Sequence, residues 1–166
     1  MRPPVRAALE PTSALVEQVE DGLGALERDH RAHLDETIRA SFGDSLDLDE
    51  AMRPFFPNEN RWDYLLGYTP AGRVVALEPH SAHEDQVSVV IAKKKAAQEQ
   101  LRGHLKKSAS VAEWFWVASG KVQFAKTEKA IRRLDEHGIL FVSRILLAKH
   151  LAHLGRGNAN RMTARR

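Results

Sequence analysis

The chain has 166 residues, no cysteine and a formal net charge of +3 at pH 7. This length suits a single domain that buries about two-thirds of its unfolded surface in one core, so no disulfide or structural metal is needed to hold the fold. The lack of cysteine excludes disulfides and thiolate metal sites and is compatible with a reducing cytoplasm, where we expect the protein to act. Apolar runs such as residues 138–148 are too short to span a bilayer, so we expect no membrane partner.

Charge is distributed unevenly along the chain. Residues 1–60 carry 6 basic and 13 acidic residues, whereas residues 61–166 carry 19 basic and 9 acidic residues. The excess of positive charge in the second part favours a polyanionic partner such as nucleic acid. The alternative is an ordinary surface of solvated lysines and arginines, partly offset by the acidic N-terminal segment.

The first 60 residues predict one helix and one short strand. Thr12 or Ser13 can cap a helix that runs to about Leu34 or Ile38. Its residues at three-to-four spacing are Leu15, Val19, Leu23, Leu26 and His30. Polar and apolar residues alternate over 45–49, which indicates a short strand, and residues 49–57 predict a helical turn and a loop.

The next segment reads as a β-hairpin with arms at 62–68 and 73–78, because both arms are rich in aromatic and β-branched residues. The turn is Thr69-Pro70-Ala71-Gly72, with proline at its second position. With Pro70 and Ala71 as the two loop residues, the register pairs Tyr68 with Arg73, Leu66 with Val75, Tyr64 with Leu77 and Asp63 with Glu78. Like charges directly opposite each other destabilise a strand pair, and a cation between them would remove that cost. Strand alternation also places His80 on the face of Glu78.

The rest of the chain alternates between helix and strand patterns. We predict a helix over 83–105, a strand over 112–117, a helix over 125–137, a fully apolar strand over 139–142 and a helix over 143–154. The element order αβββαβαβα predicts an α/β fold with a central mixed sheet, an antiparallel hairpin within it and flanking helices. Residues 1–155 form one domain in this interpretation, and residues 156–166 form a basic tail that we expect to be disordered.

This order, with an acid on the second strand and an acid followed two residues later by another functional group on the third, resembles the core of the PD-(D/E)XK nuclease superfamily. The resemblance covers about residues 12–142. It implies that Asp63 stands for the first acid of the motif and that Glu78-Pro79-His80 stands for the E-x-K tripeptide. It also implies that Asp63 and Glu78 hold a divalent metal, Mg²⁺ or Mn²⁺, and that nucleic acid is the substrate.

The lysine of the tripeptide is replaced here by His80, which carries full positive charge only below about pH 6.5 in an unperturbed setting. Some members of the superfamily place the lysine on the following helix, where Lys93, Lys94 or Lys95 could serve. We therefore name Asp63, Glu78, His80, Lys93 and Lys94 as candidate catalytic residues. Glu17 or Glu20 of the first helix could complete the metal shell.

A basic segment follows the hairpin and is the predicted nucleic-acid contact. Its cations are Lys93, Lys94, Lys95, Arg102, Lys106 and Lys107, and each phosphate that they neutralise would add salt-dependent affinity. Trp114 and Trp116 could stack on bases, although aromatic residues in strands more often belong to the core.

Several alternatives stay open from the sequence. Asp63 and Glu78 could pair with Arg61 and Arg73 instead of a metal. The HxxHE pattern from His80 is a near-miss for a zinc-protease helix. The leading function is metal-dependent hydrolysis of phosphodiester bonds. Its rivals are a catalytically inactive protein of the same fold that binds nucleic acid or protein, and a structural or antitoxin-like subunit. A second copy of the chain is the other partner considered.

Overall fold

The computed structural model describes residues 2–122 and 128–155, and its centre is one six-stranded mixed sheet. The strands are β1 (Glu20–Asp21), β2 (Phe42–Asp47), β3 (Tyr64–Tyr68), β4 (Arg73–Ala82), β5 (Val111–Val122) and β6 (Ile139–Phe141). They lie side by side in chain order. The pairs from β1 to β4 are antiparallel, and β4–β5 and β5–β6 are parallel. The predicted fold class, a mixed sheet flanked by helices, is confirmed.

Helices cover both faces of this sheet. They are α1 (Pro4–Ala8), α2 (Arg28–Arg31), α3 (Glu36–Arg39), α4 (Leu48–Met52), α5 (Val87–Gln100), α6 (Glu128–Glu136) and α7, residues 148–155. The described residues also form three 3₁₀ segments, Ala14–Gln18, Thr69–Ala71 and Glu84–Gln86. Among the described residues, no helix has the length and apolar character needed to cross a bilayer.

Strand alternation divides the interior into two clusters, one on each face of the sheet. The first face includes Ala76, Trp114 and Trp116 and is covered by α1, α5 and α6. The second face includes Leu77 and Phe115 and is covered by α3, α7 and the segments that precede them. The site described below lies on the first face, at α5.

The hairpin forms with the predicted register. Tyr68 pairs with Arg73, Leu66 with Val75 and Tyr64 with Leu77. The turn closes with Gly72 at φ +62°, a left-handed conformation that glycine adopts without steric cost. Strand β4 continues beyond its last pair with β3, so Pro79 has no β3 partner and is paired only with Val117 of β5. The proline thus lies where the ladder to β3 has ended, as its missing N–H requires.

Helix α1 docks directly on the sheet through Asp44 of β2. The Asp44 carboxylate accepts the N–H groups of Val5 and Arg6, each at 2.9 Å, and is fully buried. Burial raises the pKa of Asp44, although these two N–H bonds oppose the shift. Glycine is required beside it at position 67, since a Cβ there would collide with the Asp44 side chain.

The long N-terminal helix predicted from residue 12 or 13 to 34 or 38 is wrong. That stretch forms a 3₁₀ turn, the short strand β1 and two four-residue helices. Gly22 has φ +54° and its N–H donates to Gly43 O at 2.9 Å, so the chain turns into the sheet where a helix would continue. The periodic residues Leu15, Val19 and Leu26 are buried all the same.

The other predicted elements are present with shifted ends. Helix α5 ends at Gln100 and not at 105, and the last helix begins at residue 148 and not at 143. Strand β5 is longer than the predicted 112–117, and the strand predicted at 45–49 is β2 at 42–47. The first residues of the helix predicted at 125–137 and the whole basic tail 156–166 lie outside the described residues.

Candidate active site

Glu78 is the centre of the site and is fully buried on the face of the sheet that α5 covers. Its Oε1 accepts the backbone N–H of Asp63 at 2.9 Å. Its Oε2 accepts the Lys93 ammonium and lies 3.5 Å from His80 Nδ1. A buried carboxylate is tolerated when its oxygens are paired in this way. Glu78 is therefore held by groups from β4, α5 and the residue before β3.

Asp63 lies immediately before β3, one residue beyond the last ladder pair, Tyr64 with Leu77. The predicted pair of Asp63 with Glu78 is therefore not part of the ladder, but the Asp63 N–H donates to the Glu78 carboxylate. Its carboxylate Oδ1 is 3.7 Å from the Lys93 ammonium, and its side chain is 23% exposed. Burial and the nearby Glu78 charge raise the pKa of Asp63 to about 7, while Lys93 opposes the shift. The two carboxylates therefore repel each other, and one ammonium offsets that repulsion only in part.

Lys93 is the lysine that reaches both acids. Its side chain projects from the second turn of α5 and is only 14% exposed. Burial disfavours its charge, but the Glu78 and Asp63 carboxylates outweigh that cost and raise the pKa of Lys93. The sequence offered three adjacent lysines, and the phase of α5 selects the first of them.

His80 extends the same network along β4. Its contact with Glu78 raises the pKa of His80 against the effect of burial, and a hydrogen bond to Gln86 adds to the increase. The Nε2–Oε1 distance to Gln86 is 2.7 Å, so the amide oxygen accepts an Nε2–H proton. Nδ1 then faces Glu78, and only the charged ring presents an Nδ1–H to this carboxylate, which can only accept. Gln86 is the member of this network that the sequence did not single out.

Lys94 is directed to a different part of the molecule. Its ammonium donates to the carbonyl of His137 at the end of α6 and lies 5.4 Å from the centre of the Trp114 ring. Consecutive helical residues point about 100° apart, so Lys93 and Lys94 cannot both face the acids. The structure therefore does not bring the predicted catalytic Lys94 to the acid pair.

The predicted basic segment is not one helical face. Lys95 is exposed on α5, whereas Arg102, Lys106 and Lys107 follow the end of the helix. The proposed stacking tryptophans are core residues, with Trp116 fully buried and Trp114 6% exposed. Glu17 is exposed on a 3₁₀ segment and Glu20 on β1, so neither belongs to a first helix.

The donor atoms at the centre of the site are carboxylate oxygens. Within residues 2–122 and 128–155, no group of three or more His, Cys, Asp or Glu side chains is close enough to hold a metal ion. Any cation bound here would therefore take two protein carboxylates and complete its shell with water or substrate. Comparison with protein-family models, curated proteins and solved structures gives no match to this chain.

Proposed function

We propose that the protein hydrolyses phosphodiester bonds of nucleic acid with Mg²⁺ or Mn²⁺ at Asp63, Glu78 and Lys93. The observation that carries this proposal is the convergence of two carboxylates and one ammonium from the residue before β3, from β4 and from α5. The acids were expected to meet from the hairpin register, and a lysine from the following helix was expected to join them. All three side chains meet on one face of the sheet.

The donor set fits a hard divalent cation. Asp63 and Glu78 supply oxygens, and Mg²⁺ is typically held by one or two carboxylates together with water and substrate phosphate. The raised pKa of Asp63 reflects burial and excess negative charge that a cation would relieve. When bound, such an ion would polarise a phosphoryl oxygen and lower the pKa of a coordinated water.

The chain's own residues have distinct tasks in this proposal. Glu78 anchors the site, because three groups fix its carboxylate before any ligand arrives. Lys93 carries a permanent positive charge, so it neutralises charge on the phosphate in the transition state and orients the attacking water. His80 Nδ1 lies 3.5 Å from Glu78, so the charged imidazole stabilises the negative charge of that carboxylate.

A second candidate function is binding of nucleic acid without catalysis. It is favoured by the position of Lys93, whose ammonium already lies within ion-pair distance of both carboxylates where a catalytic cation would otherwise bind. A buried lysine bridging two acids is also a common structural ion pair. In that case the basic surface would bind nucleic acid and the acid pair would only stabilise the fold.

Calorimetric titration with Mn²⁺ and a cleavage assay separate the two functions. We expect one Mn²⁺ site in the wild-type protein, lost in Glu78→Gln and in Asp63→Asn. Cleavage of branched, single-stranded or duplex substrates should require Mg²⁺ and disappear in the same variants. Glu17→Gln is the matched control, because it removes an exposed carboxylate that, among the described residues, forms no cluster with Asp63 and Glu78. Cleavage that is unchanged in both acid variants would refute catalysis at this site, and binding of nucleic acid in chelator with no Mn²⁺ site would establish the second function.

A further inference from the structure

The cations that the acid pair does not use border a surface groove at the far end of α5. Arg102, Lys106 and Lys107 line a depression of about 370 Å³ whose floor includes Leu101 and Trp114. A second depression of about 380 Å³ adjoins it, since both are lined by Ala109 and Ser110. We call these two depressions the basic groove.

The charged residues that line the basic groove are all cationic. Among the residues that the structure describes, no Asp or Glu lines either depression, whereas Arg73 at the start of β4 adds a fourth cationic residue and Ser108 adds a hydroxyl. Arg102 pairs with Glu99 at 3.0 Å, but both side chains are largely exposed, so that pair holds Arg102 only weakly. The positive charge of the groove is therefore available to a ligand.

The main chain of the groove is fixed before any ligand binds. Lys106 N–H donates to Ala8 O at 2.9 Å, and Glu10 N–H donates to His104 O at 2.7 Å. The Ser13 hydroxyl and His104 Nδ1 are 2.8 Å apart. These bonds tie residues 104–106 to the segment after α1, so the groove is a permanent feature of the fold.

The α5 dipole does not explain this concentration of charge. A cation next to the last turn, such as Arg102, is stabilised by the negative end of the helix, but the effect falls off within that turn. Lys106 and Lys107 lie beyond it, after Gly103 at φ +81° has redirected the chain. Four cationic residues around a groove that no described carboxylate lines are instead the electrostatic footprint of a polyanion site.

We infer that the basic groove binds the phosphodiester backbone of nucleic acid, away from the acid pair. This inference rests on the proposed function for the class of partner. The lining of the groove includes Val111 and Trp114 of β5, and Glu78 is paired with Trp116 on the same strand. The separation along β5 is therefore two to five residues, which span about 7–16 Å. A nucleic-acid strand rising about 3.4 Å per nucleotide needs about two to five nucleotides to cover it.

The test is the salt dependence of binding, measured by fluorescence anisotropy with an oligonucleotide of about 20 nucleotides, single-stranded and duplex, in EDTA. The groove variant carries Arg102→Gln, Lys106→Gln and Lys107→Gln. The control variant carries Lys129→Gln, Arg132→Gln and Lys149→Gln, which remove the same charge from exposed positions elsewhere. Circular dichroism and Tm establish that both variants are folded.

We expect the groove variant to lower the slope of log K against log salt by about 2.7 on duplex, which is about 0.9 for each lost phosphate contact. Over the range from 50 to 200 mM salt, this difference in slope means that the wild type loses about 40 times more affinity than the groove variant. The control variant should retain the wild-type slope. Equal slopes in the two variants, or no wild-type binding at 50 mM salt, would overturn the inference. The binding assay contains EDTA, so its outcome does not depend on metal or on cleavage. A failure of the groove inference can therefore be distinguished from a failure of the proposed hydrolysis at Asp63 and Glu78.

Discussion

Replacing Lys93 by methionine tests whether the acids depend on its charge. Methionine keeps the apolar stem but leaves Glu78 buried with only the Asp63 N–H and His80 as partners. Breaking a buried ion pair from one side costs about 3–5 kcal/mol. The remaining two partners and the 14% exposure of Lys93 place the expected loss near the lower end, at about 3 kcal/mol. For a chain of this length, this corresponds to a decrease in Tm of about 6–12 °C.

Urea denaturation at pH 7.5 provides the free energy of unfolding, and a double-mutant cycle isolates the pair. Lys93→Met in the Glu78→Gln background should cost far less than in the wild type, because the fully buried carboxylate is then absent and only the 23% exposed Asp63 loses its cation. Lys95→Met is the control, since Lys95 is exposed on the same helix. A Lys93→Met variant within about 0.5 kcal/mol of the wild type, the range of ordinary surface substitutions, would refute the reasoning.

The same variant also distinguishes a metal site from a structural ion pair. If Asp63 and Glu78 bind Mn²⁺, a concentration of 100 times the Kd stabilises the folded protein by about 2.7 kcal/mol. Lys93→Met should gain at least as much as the wild type, because the ammonium no longer competes for the carboxylates. No rise in Tm with Mn²⁺ in either protein would identify the acid pair as purely structural.

The free energy of unfolding should decrease as the pH rises, because the folded pKa of Asp63, about 7, exceeds its unfolded value. The protonated Asp63 contributes its full stabilisation below about pH 4, and this stabilisation is lost as the pH rises to about 7. The loss of stabilisation is about 4 kcal/mol at most. Measured by urea denaturation, the Asp63→Asn variant should not show this decrease in stability. Replacing Gln86 by alanine should lower the His80 pKa, read from the imidazole NMR signals, and an unchanged value would show that the 2.7 Å contact is unimportant. Replacing Asp44 by alanine should cost about 2–4 kcal/mol in chemical denaturation, because it leaves one buried and one partly buried N–H group of α1 unpaired, and a loss below about 1 kcal/mol would argue against this docking.

The hairpin was predictable because its turn residues fix its register. Once Pro70 and Ala71 are placed in the turn, every cross-strand pair follows, including the approach of Asp63 to Glu78. The N-terminal region was not predictable in the same way. The apolar spacing of Leu15 and Val19 correctly marked buried positions, but the sheet contacts of Gly22 and Asp44 override the local helical pattern, and sequence periodicity carries no information about them.

The candidate site was predictable from the sequence except for Gln86 and for the choice of lysine. Strand alternation places His80 beside Glu78, because strand geometry has a period of two and admits only two faces. The choice among three consecutive lysines depends on the phase of α5, and one residue of shift turns a side chain by about 100°. That phase is set by where the helix begins, at Val87, after a 3₁₀ turn that no capping residue announces.

The arrangement of β3, β4 and α5 keeps the whole acid site inside one uninterrupted stretch of chain. Asp63 and Lys93 each lie 15 residues from Glu78, one on either side. Contacts this short in sequence require little loop-closure entropy, so the hairpin and the helix can assemble the site at an early stage of folding. The remainder of the sheet then has to form around two acids and a lysine that have already met. The other strands and helices, β5 above all, then support this segment through the pairing of Glu78 with Trp116 and of His80 with Ala118.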